Sequence, residues 1–223
     1  MFSIPNLLTL GNLLTGSAGI IYFMSEQDEK MVFWFILIAA VFDFADGFFA
    51  RLLKVSSPMG KELDSLADMV SFGAFPGIVM VVMIMKREPS EWLPWIGLLI
   101  IAFSALRLAK FNVDKRQSDT FYGLPTPGNA FFFGALPYLN YEWLNNGYLL
   151  AGLCILFSYF LVADIRMFAL KFKSYKWKAN QWKYMAIVAS VASIAIYGIT
   201  AVSHIIALYV LFSFILHFSG KRK

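Results

Sequence analysis

Apolar segments follow one another almost without relief from Leu7 to Phe218. Most approach the ~20 residues needed to cross the hydrocarbon layer of a bilayer. The segments lie at 7–24, 31–50, 64–85, 92–111, 128–143, 147–163, 184–200 and 203–219. The chain has 223 residues, 59% of them hydrophobic and only 15% charged. Soluble domains carry roughly 25% charge, and one of this size leaves much of its surface in water. A soluble or a disordered chain is therefore excluded. The expected fold is all-α: a polytopic transmembrane helical bundle of about eight spanning helices, forming a single integral membrane domain over 1–223. The fifth segment is short, with Pro125 and Pro127 at its start and Pro137 marking a kink. The N-terminus, MFSIPNLLTL, has no basic residue before its apolar stretch, so it reads as the first span and not as a removed signal peptide. Cys154 is the only cysteine, which excludes an intramolecular disulfide and suits a small core residue.

The basic residues orient the bundle. With eight spans and a cytoplasmic N-terminus, Arg51, Lys54, Lys61, Arg107, Lys110, Lys115 and Arg116 fall on the cytoplasmic side. So do Arg166, the basic loop from Lys171 to Lys183, and the tail from Lys221 to Lys223. Of 19 Lys and Arg, only Lys30, Lys86 and Arg87 fall outside. This asymmetry places both termini in the cytoplasm. The net charge of +5 is then a cytoplasmic-face charge suited to anionic headgroups, and nucleic acid is not an expected partner. Trp92, Trp95, Trp143, Trp177 and Trp182 stand near segment ends, as interfacial aromatics do.

Four acidic residues break the apolar pattern. Asp43 and Asp46 close the second segment, and Asp64 and Asp68 open the third. Acids in such surroundings are expensive and mark function. The i, i+3 and i, i+4 spacings put each pair on one helix face. A short connection lets the two faces meet, where four carboxylates repel unless a cation lies between them. Hard divalent ions such as Mg²⁺ take such oxygens, and one or two can be held. A two-metal site suits phosphoryl chemistry. Gly47, Ala50 and Gly60 leave room for a substrate, and Arg51 can pair with a phosphate. A plainer reading pairs the acids with Arg51, Lys54 and Lys61. It accounts for a charged helix end but not for four acids in helical register with small residues between them.

The pattern Asp43-x2-Asp46-Gly47-x2-Ala50-Arg51-x8-Gly60-x3-Asp64-x3-Asp68 resembles the signature of the CDP-alcohol phosphotransferase family, with every position matched. The resemblance implies a membrane enzyme using a CDP-linked donor. It implies that Asp43, Asp46, Asp64 and Asp68 bind divalent cations, Mg²⁺ or Mn²⁺, and that Asp68 also serves as the general base. It assigns Gly47, Ala50, Arg51, Ser57 and Gly60 to the donor, CDP-diacylglycerol, and suggests a homodimer. Asn6 and Thr9 resemble the family's nucleotide-contacting first-helix start, although Asn6 could equally cap a helix.

Two further stretches, Ser104 to Asn112 and Phe121 to Pro127, resemble the phosphatidylserine synthase branch. The likeness covers about residues 1–165, leaving 166–223 as a basic loop and two additional helices. It implies L-serine as acceptor and a prokaryotic membrane as location, with the site on the cytoplasmic side. Arg107, with Lys110 at i+3, is the candidate for the serine carboxylate; topological anchoring is the alternative for both. The Gly123–Pro127 turn either shapes the acceptor pocket or merely starts a helix. Two rivals remain open: another acceptor such as glycerol 3-phosphate or an inositol phosphate, and a divalent-cation transporter. The transporter is disfavoured because no acid continues across the bilayer. His204 and His217 read as packed or interfacial side chains. Gly73-x3-Gly77 reads as a close-packing motif, within the chain or between two copies.

Overall fold

The computed structural model describes residues 3–55, 57–114, 122–167 and 177–218, without the side chains of 177–179, 182 and 183. Lys115, Arg116, Phe121, Lys171, Lys173, Lys176 and the tail Lys221–Lys223 lie outside the described residues, as do the side chains of Trp177, Lys178, Trp182 and Lys183.

Among the described residues the architecture is helical, with one isolated bridge between Tyr122 and Arg166. The helices are α1 (Ile4–Glu26), α2 (Met31–Leu52), α3 (Pro58–Asp68), α4 (Phe75–Arg87), α5 (Leu98–Val113), α6 (Thr126–Ala135), α7 (Gly147–Val162), α8 (Trp177–Tyr197) and α9 (Thr200–Phe218). Among the described residues, five helical stretches are long and apolar enough to cross a membrane: α1, α2, the continuous run Pro58–Arg87, Leu93–Val113 and α9. Two shorter apolar helices occur at Gly147–Val162 and Tyr184–Tyr197. The fifth expected segment differs most. Its α-helix stops after ten residues, about 15 Å of rise. Pro137 has no N–H to continue the ladder, and 3₁₀ turns at Leu136–Tyr138 and Glu142–Asn145 follow. The last two helices are divided at Gly198, whose φ is +63°, slightly ahead of the expected break.

Each helix begins or ends for a local reason. Ser3 caps α1, its Oγ accepting from the Asn6 backbone N–H at 3.4 Å, with Pro5 in the first turn. Asn6 is thus inside the helix and is not its cap. Ser57 caps α3 the same way, accepting from the Gly60 N–H at 3.0 Å. Between α3 and α4 the chain stays helical but widens into a π-helical segment, Met69–Ala74. It closes with the Phe75 N–H donating to the Val70 carbonyl, just before Pro76, which has no N–H to give.

Outward faces are as apolar as the inside. Leu14, Ile21, Val41 and Phe44 are exposed, while Phe23, Ile36, Phe72, Phe75, Met80, Ile84, Ile100 and Phe133 are buried in the core. Lipid offers no hydrophobic drive between helices, so small residues set how closely they pack. A Cβ at Gly73 would lie 2.9 Å from the Ser104 Cβ, so this glycine packs against α5 of the same chain. Gly77 likewise faces Ile101 and Gly97. Cys154 is buried, as expected.

Gly97 makes the tightest of these contacts with backbone: a Cβ there would lie 2.7 Å from the Val81 nitrogen. Gly97→Val should cost about 1–3 kcal/mol through overpacking. Gly152, with nothing within 4 Å of its Cβ position, provides the control. Thermal unfolding in detergent should show a lower Tm for Gly97→Val and little change for Gly152→Val.

Candidate active site

The end of α2 and the start of α3 bring the aspartates together against α1. One carboxylate oxygen from each of Asp43, Asp64 and Asp68 lies within 4.8 Å of the others. Asp43 and Asp64 crowd each other within this trio. Two bare carboxylates cannot stay so close without a proton or a cation between them. Asp46, itself buried, stands outside this trio. Its Oδ2 accepts from the Thr9 hydroxyl at 2.5 Å. The Pro5 carbonyl is also within 3.0 Å of that hydroxyl. A hydroxyl has one proton, and the carboxylate is the stronger acceptor.

The donor set fits a hard divalent cation: three convergent carboxylates, all oxygen donors, with no soft ligand among them. Asp43, Asp64 and Asp68 can hold it directly, with Asp46 poised beside them.

Asp68 has a partner that sequence reasoning missed. The Asn12 Nδ2 donates to its Oδ1 at 3.2 Å. Asn12 is fully buried, and its backbone carbonyl accepts from Ser71 Oγ at 2.9 Å, tying α1 to the π-helical turn. The clue was available: Asn6, Thr9, Asn12 and Thr15 recur every three residues along a mostly apolar helix.

The remaining candidates divide into two groups. Toward the donor side, Asn6 is buried, and its Oδ1 would lie 3.2 Å from a Cβ at Gly60. Gly47 is open toward the Arg51 guanidinium, whose nearest nitrogen would be 3.4 Å from a Cβ there. Arg51 is exposed and within electrostatic reach of Asp46. Ala50 is half-buried beside it, and Ser57 is exposed at the start of α3.

On the other side, α5 separates its two cations. Arg107 is buried, with 7% exposure, and within electrostatic reach of Asp68. Its Nε donates to the Leu124 carbonyl at 3.2 Å, and its guanidinium lies 5.1 Å from the Phe111 ring centre. Lys110 instead donates to Asp164 at 2.7 Å and to the Val162 carbonyl at 3.2 Å, closing the end of α7. Of the two, Arg107 is the one within electrostatic reach of Asp68; Lys110 is engaged in the scaffold. The Gly123–Pro127 turn is pinned between them. Gly123, at φ +76°, donates to the Ile165 carbonyl, and Leu124 donates to the Phe160 carbonyl at 2.8 Å. The histidines stand apart: His204 meets Tyr141, and His217 accepts from the Arg166 backbone N–H.

The sequence profile of the CDP-alcohol phosphatidyltransferase family matches residues 2–153, a stretch holding all four aspartates, Asn12 and Arg107. The chain belongs to this family. Among the family's characterised members, the CDP-diacylglycerol–serine O-phosphatidyltransferase of Helicobacter pylori strain J99 is 29% identical over 221 residues, covering 96% of this chain and 91% of the relative. The enzyme of the same name from Bacillus subtilis is 35% identical over 168 residues, covering 73% and 88%. That from Methanocaldococcus jannaschii is 31% identical over 173 residues, covering 74% and 77%. The divalent metals of CDP-alcohol phosphatidyltransferases fit the trio described above.

A cation at this cluster should stabilise the fold by mass action, by about 2.7 kcal/mol at a hundredfold excess over Kd. Mn²⁺ added to metal-stripped protein should raise its Tm in detergent. Asp64→Asn should abolish most of that response; an identical response in this variant would remove Asp64 from the ion site.

Proposed function

We propose that this protein transfers the phosphatidyl group of CDP-diacylglycerol to the hydroxyl of L-serine, giving phosphatidylserine and CMP. The observation that carries the reading is the buried Arg107 within electrostatic reach of Asp68. A guanidinium fork suited to a carboxylate near a candidate base supports this reading, in a chain whose relatives share one named activity.

In this reading Asp43, Asp46, Asp64 and Asp68 hold one or two divalent ions, Mg²⁺ or Mn²⁺. When bound, such ions neutralise the diphosphate and the charge that develops on the departing CMP. Asn6, Gly47, Ala50, Arg51, Ser57 and Gly60 line the donor side, and Thr9 acts there through the Asp46 carboxylate. Asn12 fixes one oxygen of Asp68, leaving the other to take the proton of the serine hydroxyl. The serine oxygen attacks the phosphorus bearing the diacylglycerol, and the bond from that phosphorus to the CMP oxygen breaks. Arg107 orients serine by its carboxylate. The charge balance favours serine over a phosphorylated acceptor, which calls for further cations. Lys61 is held at the Asn112 carbonyl, and Lys110 at Asp164.

We also read the chain as one membrane unit with a core over 1–165, to which 166–223 adds the basic loop, α8 and α9. Eight passes are supported by which ends meet. At one end Lys30 packs with Tyr138, Arg87 pairs with Glu29, and His204 meets Tyr141. At the other end Lys110 meets Asp164, and Arg166 meets His217. α6 and its 3₁₀ turn thus run from one end to the other despite their shortness. The site and both termini then lie on the more basic, cytoplasmic side of a prokaryotic membrane. A homodimer, as the family resemblance implies, completes this reading, and crosslinking in native membranes tests it.

Purified protein given CDP-diacylglycerol and Mg²⁺ or Mn²⁺ should release CMP when serine is present, with phosphatidylserine identified by mass. Turnover with glycerol 3-phosphate and none with serine would overturn the acceptor. Asp68→Asn should lower kcat by about 10²–10⁴-fold, and undiminished turnover would remove Asp68 as the base. Arg107→Ala should raise the KM for serine far more than that for CDP-diacylglycerol. Arg107→Lys should restore little of the loss, because an ammonium lacks the bidentate fork.

A further inference from the structure

Several buried polar side chains on α5, α6 and α7 have no hydrogen-bond partner among the described residues. They are Ser104 on α5, Thr126 and Asn129 on α6, and Ser158 on α7. Ser104, Thr126 and Asn129 are each 0% exposed. In Asn129 both the amide nitrogen and the amide oxygen are unpartnered. Buried polar groups are nearly always satisfied, and a cluster that is not calls for a ligand or for ordered water.

Connectivity places three of these residues around the same point. Ser104 and Arg107 are one turn apart on one face of α5. Arg107 holds the Leu124 carbonyl, and Thr126 follows two residues later, within about 7 Å of chain. Asn129 stands one turn beyond Thr126 on the same face of α6. Ser104 also packs against Gly73 in the π-helical turn that follows Asp68. Ser104 thus flanks Arg107 on the side of the segment that follows Asp68, and the start of α6 reaches Arg107 through Leu124. The oxygens of this group are neutral, and Arg107 is the cation beside them. Such a wall is matched to a zwitterion: the guanidinium takes a carboxylate, and neutral oxygens accept from an ammonium.

We propose that Ser104, Thr126 and Asn129 form the wall that recognises the α-ammonium of the acceptor amino acid, with the Asn129 amide oxygen as its principal partner. The inference rests on the reading of serine as acceptor and assigns its specificity to residues outside the aspartate signature. A site built to hydrogen-bond a polar group discriminates strongly against an analogue lacking it. Serine should therefore be preferred over 3-hydroxypropionate, which keeps the hydroxyl and carboxylate but has no ammonium.

The test compares wild type with Asn129→Leu, Thr126→Val and Ser104→Ala in full-length purified protein, with serine and 3-hydroxypropionate as acceptors. In Asn129→Leu the KM for serine should rise by at least about tenfold while that for CDP-diacylglycerol stays within about twofold. The preference for serine over 3-hydroxypropionate should collapse. Thr126→Val and Ser104→Ala should shift the same two quantities in the same direction, which keeps the assignment testable if Asn129→Leu does not fold. Tm separates this role from a structural one. Replacing a buried unpartnered polar group by an apolar one of similar shape is neutral or stabilising, so Tm in detergent should hold or rise as serine recognition is lost. An unchanged KM for serine, or equal changes in both KM values, would overturn the assignment. Wild type that turns over another alcohol and not serine would overturn the acceptor reading itself.

Discussion

Electrostatic repulsion among carboxylates is the constraint around which this fold is organised. Asp43, Asp64 and Asp68 converge within 4.8 Å, in a chain whose other surfaces are mostly hydrocarbon. Such a cluster persists only where neighbouring groups hold each carboxylate in place and something positive balances the charge. Helix α1 supplies much of the holding. Thr9 takes Asp46, Asn12 takes Asp68, and the Asn12 carbonyl is anchored by Ser71. One face of an apolar helix thus acts as a polar rail against which α2 and α3 are fixed.

The second organising element is α5, which carries two cations one turn apart with different tasks. Lys110 closes the end of α7 through Val162 and Asp164. Arg107 lies within electrostatic reach of Asp68 and holds the turn that starts α6. Because Leu124 also bonds to the Phe160 carbonyl, α5, α6 and α7 meet at a single small junction. A buried guanidinium is costly unless it is well surrounded. Here it has a carbonyl, an aromatic face and a carboxylate field around it.

Much of this was legible in the sequence, and for identifiable reasons. Acids in a hydrophobic chain stand out, and their helical spacing predicted convergence. The close packing permitted by Gly73 and Gly77 was also visible, but its partner, α5 of the same chain, was not, because periodicity says nothing about neighbours. The membrane segments α1, α2, the Pro58–Arg87 run and α9 followed from length and composition alone. The short α6 was only half-legible: Pro137 marked the break, but not that two 3₁₀ turns would replace the rest of the helix. Asn12 shared a visible three-residue spacing with Asn6 and Thr9, but its partner Asp68 was not visible; Asn129 went unread because an isolated polar residue in an apolar helix gains meaning only from a tertiary partner, or from the lack of one. Arg107 was already the better carboxylate candidate by the shape of its side chain, but that Lys110 is tied up by Asp164 could be seen only in the fold.

The π-helical segment at Met69–Ala74 has a consequence of its own. Relative to an α-helical turn it accommodates an additional residue, and in an α-helix one residue corresponds to about 100° of rotation. It therefore works as a phase adapter within one continuous rod. Upstream, the angular position of Asp64 and Asp68 is set by chemistry. Downstream, the stripe of Phe75, Val79, Met80, Met83 and Ile84 is set by packing. With the adapter between them, the two requirements need not share a common helical phase. The buried packing stripe of this rod can thus turn toward its neighbours, while the aspartate-bearing half keeps its bearing toward α1.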